Sequence, residues 1–486
     1  MFSTIIEAVS YYAKTRPDAL AAVAQDEKLT YAQLYDLARG FAHMLRQSEL
    51  KRGQCVVMQA EQSLSFVVAH MGTHLAGGIF TPTERTLMAH GAEQIAAETD
   101  AHMVISRAGA RWPLSMDAGE ILDTAEKLAR QAGDIALPDP SEPAELLFTT
   151  GTTGKSKGVL CSHRSVAAVA GNLVTGMRYS PDTLIAVPGP VSHANAIRKL
   201  SAAFLNGSAV LLLNGMTDLA AFFGALDAWP VNALCLPPSA VRMLLALSGD
   251  RLGQYAGQID FVESGTAPLT DADKRRLCAL LPNSRLYNSY GTSEAGSSCM
   301  YDYNHESAGA GCIGRPMINS RFIIVDKQRR PFAATRENPG YLACGGDVLM
   351  DGYWRDSELT ARTVENGFIY TSDLAYWGPD GMIYVLGRED DVINVGGRKV
   401  APDEVERAAL EIGGVMDCGC ARMKDPLSGE AVRLFVVMKP GAKFDAVALR
   451  RALAERLADY MVPRVIVERD SLPRASNGKL KRNRLE

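Results

Sequence analysis

Short, wholly apolar runs alternate with helical patterns along most of this chain, and that alternation constrains its fold more than any other feature. Thr30 caps a stretch in which Leu34, Leu37, Ala38, Phe41 and Leu45 recur at the 3.6-residue period of an amphipathic helix. Cys55-Val-Val-Met58, after Lys51-Arg-Gly53, reads as a buried strand. Runs of the same kind return at Ala209–Leu213, Ala233–Leu236 and Phe261–Glu263. Strands apolar on both faces, separated by helices, call for a parallel or mixed sheet covered on both sides, so the expected fold class is α/β.

The pattern changes after Gly378-Pro-Asp-Gly381. A strand at Met382–Leu386 runs into the charged segment Gly387-Arg-Glu-Asp-Asp391. A helix from Pro402 follows, then a hairpin pairing Asp417–Met423 with Arg433–Met438. A helix over Ala446–Tyr460, a strand at Val465–Glu468 and a basic tail complete the chain. At about 150 residues per domain, 486 residues allow three domains or one large one with a satellite. The boundary is expected near Arg388, giving a large N-terminal α/β domain of several subdomains (1–387) and a small α+β domain (388–486).

Several functions are disfavoured by composition. With 51 basic against 55 acidic residues the net charge is −4, so no global basic field draws the chain to nucleic acid or anionic lipid. No apolar run approaches the roughly 18 residues of a membrane span, and Met1–Glu7 lacks a basic n-region. A soluble, cytoplasmic protein is expected. The 9 cysteines are odd in number and scattered, which is not a disulfide framework; Cys418-Gly-Cys420 fits alternation in a strand better than metal ligation. His70 and His74 share a helix face without the glutamate of a zincin, so they read as helix packing.

The chemistry concentrates in Leu146-Leu-Phe-Thr-Thr-Gly-Thr-Thr-Gly-Lys-Ser-Lys-Gly-Val159, an apolar strand feeding glycines, hydroxyls and lysines. Glycines let backbone N–H groups approach phosphate oxygens, and lysines supply the countercharge, so the loop is built to cradle a polyphosphate. A Walker A reading of Gly154-Lys155-Ser156 fails because the position five residues before Gly154 is Thr149, not glycine. Asn288-Ser-Tyr-Gly-Thr-Ser-Glu294, following a strand-like Arg285-Leu-Tyr287, offers an aromatic face for a purine and a carboxylate for Mg²⁺. Ile369-Tyr-Thr-Ser-Asp373 puts a carboxylate just past a short strand, where it accepts from ribose hydroxyls, and Arg388 adds a guanidinium at the domain junction.

In this order the segments resemble the adenylate-forming superfamily of acyl-CoA synthetases, luciferases and the adenylation domains of nonribosomal peptide synthetases, from Thr30 to Lys479. The resemblance implies that Thr149, Thr150, Gly151, Thr152, Thr153, Gly154 and Lys157 bind the ATP phosphates. It places Ser264, Gly265, Thr266 and Ala267 beside adenine. Ser289, Tyr290, Gly291 and Thr292 belong to the adenine and Mg²⁺ element, with Glu294 holding the metal. It gives Asp373 the ribose, and makes Asp390 the hinge of a mobile C-terminal domain. Gly396, Gly397 and Lys399 line the tunnel for the pantetheine of coenzyme A, and Lys479 bridges carboxylate and ATP. The chain departs from the family pattern at Ser156 for proline, Ser293 for threonine, Ser372 for glycine and Tyr341 for glutamate.

The implied reaction is activation of a carboxylic acid as acyl-AMP, then transfer to the thiol of coenzyme A or of a carrier protein's phosphopantetheine. Val187-Pro-Gly-Pro-Val-Ser-His193 carries histidine where amino-acid-activating relatives carry an aspartate for the amine, so an amine-free acid is expected, with His193 orienting its carboxylate. Arg198 and Arg242 flank the acyl pocket and are candidates to meet a second carboxylate.

Overall fold

The computed structural model describes residues 2–84, 89–107, 109–150, 156–267, 269–474 and 480–485. Among these residues three sheets form, of 14, 7 and 5 strands, with helices packed over them. Strands Leu20–Ala24, Ala209–Leu212, Leu184–Val187, Ala233–Cys235, Phe261–Ser264 and Arg285–Thr292 run parallel through one half of the largest sheet. From Arg285–Thr292 onward every pairing is antiparallel, through Gly296–Asp302, Cys312–Pro316, Ile383–Arg388, Phe368–Trp377 and Gly340–Gly345 to Arg321–Val325. The expected apolar runs all become strands, buried over Cys55–Met58, Ala209–Leu212, Ala233–Cys235 and Phe261–Ser264.

The helix Tyr31–Gln47 starts at a capping box. Thr30 accepts from the Gln33 amide while the Gln33 side chain takes the Thr30 N–H, satisfying two groups that a helix start leaves open. Its Leu34, Ala38, Phe41 and Leu45 are fully buried and pack into the core between the two larger sheets.

The 7-stranded sheet contains Cys55–Gln59, Ile79–Thr83, Pro143–Thr150, Ser156–Ser162 and the two-residue strand Gly352–Tyr353. The 5-stranded sheet collects Ile393–Val395, Arg398–Val400, Val415–Asp425, Gly429–Met438 and Val465–Glu468 over its own core of Val405, Cys420, Leu434 and Leu453. The chain passes from the first sheet to this one between Arg388 and Ile393. Cys418 and Cys420 are buried in that core as free thiols. The helix expected over 446–460 is shorter: it ends at Ala454, and a 3₁₀ turn at Asp459–Met461 follows because extended Ala458 swings Met461 into the core before Pro463. Among the described residues no helix is long and apolar enough to cross a membrane.

Candidate active site

The site assembles where the largest sheet changes from parallel to antiparallel. Asn288–Thr292 is not a loop after a strand, as expected, but the end of the strand Arg285–Thr292, because Gly296–Asp302 folds back and pairs with it. The turn between them carries Glu294. Gly291 is obligatory there: a Cβ would stand 2.0 Å from the carbonyl oxygen of Gly296. Asp373 likewise lies inside a strand, Phe368–Trp377, rather than past one, directly opposite Arg388. The Tyr290 hydroxyl donates to Asp373 Oδ2 at 2.5 Å, and Arg388 Nε stands 3.9 Å from Oδ1. Burial and then the Asp373 charge push the Tyr290 phenol well above its ordinary value, so it is a fixed donor.

The strands on either side of the expected phosphate loop pair antiparallel, with Thr149 opposite Lys157 and Thr150 opposite Ser156. Gly151, Thr152, Thr153 and Gly154 lie outside the described residues, and so does Lys479. Lys157 places its ammonium 5.6 Å from the centre of the Tyr353 ring. The Tyr353 hydroxyl donates to Glu294 Oε1 at 2.8 Å. Met350 N donates to the Glu294 carbonyl and Trp354 N to that of Gly158, both at 2.8 Å, so the 350–354 segment joins the Glu294 turn to the strand Ser156–Ser162. Sequence reasoning missed Tyr353; its only local signal is an aromatic pair, Tyr353-Trp354, after a glycine.

Ser264 ends the buried strand Phe261–Ser264, and Gly265, Thr266 and Ala267 follow it. A Cβ on Gly265 would meet Ser289 Oγ at 2.5 Å and Glu263 Oε1 at 2.9 Å. Thr266 adopts φ +71, a left-handed conformation that a β-branched residue strongly resists, so the turn stores strain beside the site. Glu263 is fully buried and gathers Ser289 Oγ, Cys235 Sγ at 3.3 Å and Lys199 Nζ at 3.3 Å, while Lys199 also donates to Asn195 Oδ1 at 2.9 Å. None of this network was foreseen. His193 occupies the N-cap position of the helix Ala194–Asn206 without capping it, its Nε2 3.4 Å from Glu84 Oε1.

Arg198 does not face the acyl pocket as a free cation. It is buried against Glu145 on the strand leading to the phosphate loop, and Glu145 also takes His70 Nε2 at 3.0 Å. The Arg198 charge and the histidines hold the Glu145 carboxyl far below the usual range despite complete burial. His70, His74 and Glu145 bring ligand atoms within 4.8 Å of one another. With a guanidinium already neutralising the carboxylate, a divalent cation would leave excess positive charge in the core, so the cluster is a packed polar network, in keeping with the helix-packing reading. Arg242 is 47% exposed and 3.9 Å from Asp273.

At the junction, Asp390 offers its carbonyl to Arg422, and Glu389 accepts from the Tyr341 hydroxyl at 2.6 Å and pairs with Lys327 at 3.1 Å. The unusual Tyr341 therefore contacts the residue next to the expected hinge. Gly396 and Gly397, at φ +58 and +86, turn the exposed hairpin that carries Lys399. A separate cavity of about 900 Å³, lined by Arg178, Arg285, Asp302 and Arg315, opens at the opposite end of the Arg285–Thr292 strand from Glu294 and includes none of these residues.

Residues 9–354 match the model of the AMP-binding enzyme family, and residues 404–479 that of the AMP-binding enzyme C-terminal domain. The chain belongs to the AMP-binding enzyme family. Among its relatives, tyrocidine synthase 1 of Brevibacillus parabrevis is 26% identical over 97% of this chain but only 44% of its own length. The chain thus spans less than half of that relative, and 8% of tyrocidine synthase 3 of the same organism. A methyl-dioxo-octahydroindenyl propanoyl:CoA ligase of Mycobacterium tuberculosis is 28% identical over 99% of this chain and 98% of its own. ATP-bound MatB from Rhodopseudomonas palustris superposes with a TM-score of 0.88 at 24% identity, covering 99% of this chain and 98% of that one, which establishes the shared fold. This AMP-binding enzyme is therefore a member of the adenylate-forming superfamily, with a large mixed α/β N-terminal part and a small C-terminal one.

Proposed function

We propose that this AMP-binding enzyme activates an amine-free carboxylic acid with ATP and passes the acyl group to the thiol of coenzyme A. The observation that carries the reading is the convergence of Tyr290, Asp373 and Arg388 with Glu294, Tyr353 and Lys157 at the end of one strand. A carboxylate is a poor electrophile, so thioester formation needs a better leaving group than oxide. In the proposed first step a substrate carboxylate oxygen bonds to the α-phosphorus as the bond to pyrophosphate breaks, giving acyl-AMP. In the second, the thiol sulfur bonds to the acyl carbon, its proton passes to solvent, and AMP leaves.

Asp373 would accept from ribose hydroxyls, with Tyr290 holding its Oδ2 in place. Lys157 and the Thr149–Gly154 loop would hold the β- and γ-phosphates, and Lys479 would bring the two anions together. Glu294 fits a hard divalent cation: it is a half-buried carboxylate with one oxygen held by Tyr353, beside the strands that flank the expected phosphate loop. Bound there, Mg²⁺ would neutralise phosphate charge. His193 would orient the acid, Asp390 would be the hinge, and Gly396, Gly397 and Lys399 would line the thiol's path. The domain division at Arg388 and a cytoplasmic location, where ATP and coenzyme A are available, belong to the same proposal.

A second acceptor, the phosphopantetheine of an acyl or aryl carrier protein, is favoured by the peptide-synthetase relatives, of which this chain spans only part. Pyrophosphate release measured with a panel of free acids and amino acids, with and without coenzyme A, tests the reading. Release with an amine-free acid and CoA-dependent thioester formation is expected. No release with any acid would overturn it, and release indifferent to CoA would transfer it to the carrier acceptor.

A further inference from the structure

One charged helix face of the C-terminal part meets the rest of the molecule. Pro402–Leu410 ends at the cap Glu411, and Glu404, Arg407 and Glu411, spaced by three and four residues, share one side. Each meets an opposite charge from the larger part. Arg336 Nη2 donates to both Glu404 oxygens at 2.7 Å, Arg407 Nε is 3.3 Å from Asp271 Oδ2, and Arg275 Nη2 is 3.9 Å from Glu411 Oε1. Asp271 and Arg275 are themselves one turn apart on the helix Asp271–Leu280, which begins just after the Ser264–Ala267 turn of the site. Two helices thus present acid and base at matched one-turn spacing, in reciprocal order.

This docking has a chemical direction. Val392 and Ala401, which flank the Gly396–Lys399 hairpin, pack with Leu374 and Leu386, and Leu374 neighbours the candidate ribose carboxylate Asp373. The residues on either side of the Lys479 segment are held by the small part itself: Arg474 by Asp417, Arg482 by Asp403 and Glu406. The docked arrangement therefore sets the base of the Gly396–Lys399 hairpin against Leu374, the neighbour of Asp373.

We propose that Arg336, Asp271 and Arg275 are positioning residues that dock the Pro402–Glu411 helix in the orientation serving thioester formation, and that adenylation requires these pairs to part. Partly exposed pairs contribute little stability singly, so their alternating order selects one orientation rather than holding the parts together. The inference rests on the two-step reading above. It assigns no contact with substrate to these three residues.

The test is a charge swap. Arg336→Glu should slow thioester formation from preformed acyl-AMP and coenzyme A by about tenfold or more, while ATP-dependent acyl-AMP formation stays within about twofold. Adding Glu404→Arg to the same chain should restore the second step, which a folding defect would not allow. Trypsin cleavage within 388–399 should be faster in Arg336→Glu than in wild type and return toward wild type in the swap. Equal loss of both steps, or no rescue by the swap, would overturn the docking proposal. If wild type activates no acid, the two-step reading has failed. Cleavage then still decides whether the pairs dock the helix: identical rates in all three proteins refute that too.

Discussion

Tyr353→Phe isolates a contact by which a residue outside the recognised motifs holds the candidate metal carboxylate. The substitution keeps the ring, and with it the Lys157 ammonium at 5.6 Å, and removes only the hydroxyl that donates to Glu294 Oε1 at 2.8 Å. A hydrogen bond to a charged group contributes about 1.5–3 kcal/mol. At 1.36 kcal/mol per decade that corresponds to roughly 10- to 160-fold, overlapping the range of about 10- to 100-fold expected when an outer partner of a metal ligand is lost. Pyrophosphate release titrated with free Mg²⁺ at saturating ATP should show the half-saturating concentration raised by about that factor, with circular dichroism unchanged. Tyr353→Leu, which also removes the ring under Lys157, should raise the KM for ATP as well. An unchanged Mg²⁺ titration in Tyr353→Phe, or an equal loss of rate at every Mg²⁺ concentration, would refute the reasoning.

Other expectations follow from the same contacts. Arg198→Met leaves the Glu145 carboxylate buried without its guanidinium and should destabilise by about 3–5 kcal/mol, whereas Arg198→Met with Glu145→Leu should recover most of it; chemical denaturation reads both. Thr266→Gly relieves a left-handed β-branched residue and should raise stability by about 1 kcal/mol while lowering acyl-AMP formation, and a fall in stability would contradict the strain. Burial lowers His163 to about 4 and His74 well below its usual value, so the native state binds fewer protons than the unfolded chain below about pH 6.5. Stability should therefore fall as pH drops from 6.5 toward 4, and melting of His163→Gln should depend less on pH over that window. Lys479→Ala should abolish acyl-AMP formation yet leave thioester formation from preformed acyl-AMP largely intact, and equal loss of both steps would count against its assigned role.

The fold class was legible because burial on two faces forces a strand to be apolar at every position, and Cys55–Met58, Ala209–Leu212 and Phe261–Glu263 announce that locally. The sheet that begins at Ile393 has a core of its own, and such a core needs its own helix and hairpin patterns, which the chain carries from Pro402 onward. Glu294, Asp373 and the phosphate-loop residues stand in short runs of glycine, hydroxyl and charge that a solvated loop has no need of. Chain-local chemistry of this kind survives in one dimension.

What lay hidden were the relations between distant runs. Tyr353 reaches Glu294 across 59 positions, and Arg198 neutralises Glu145 across 53. Arg336 meets Glu404 68 residues away, across the change of sheet. Arg198 by itself offered a candidate for a second substrate carboxylate and no sign of a core ion pair, since a cation's meaning depends on which anion the packing puts against it. Asn288–Thr292 and Asp373 were placed beyond strands because strand pairing through glycine and serine leaves almost no local pattern, and only the neighbouring strand supplies the hydrogen bonds. The sequence by itself determined which groups are present to bind a nucleotide and in what order. The tertiary structure alone decided which carboxylate is steadied by which hydroxyl and which cation is spent inside the core, because desolvation and pairing energies depend on distances that the order of residues does not contain.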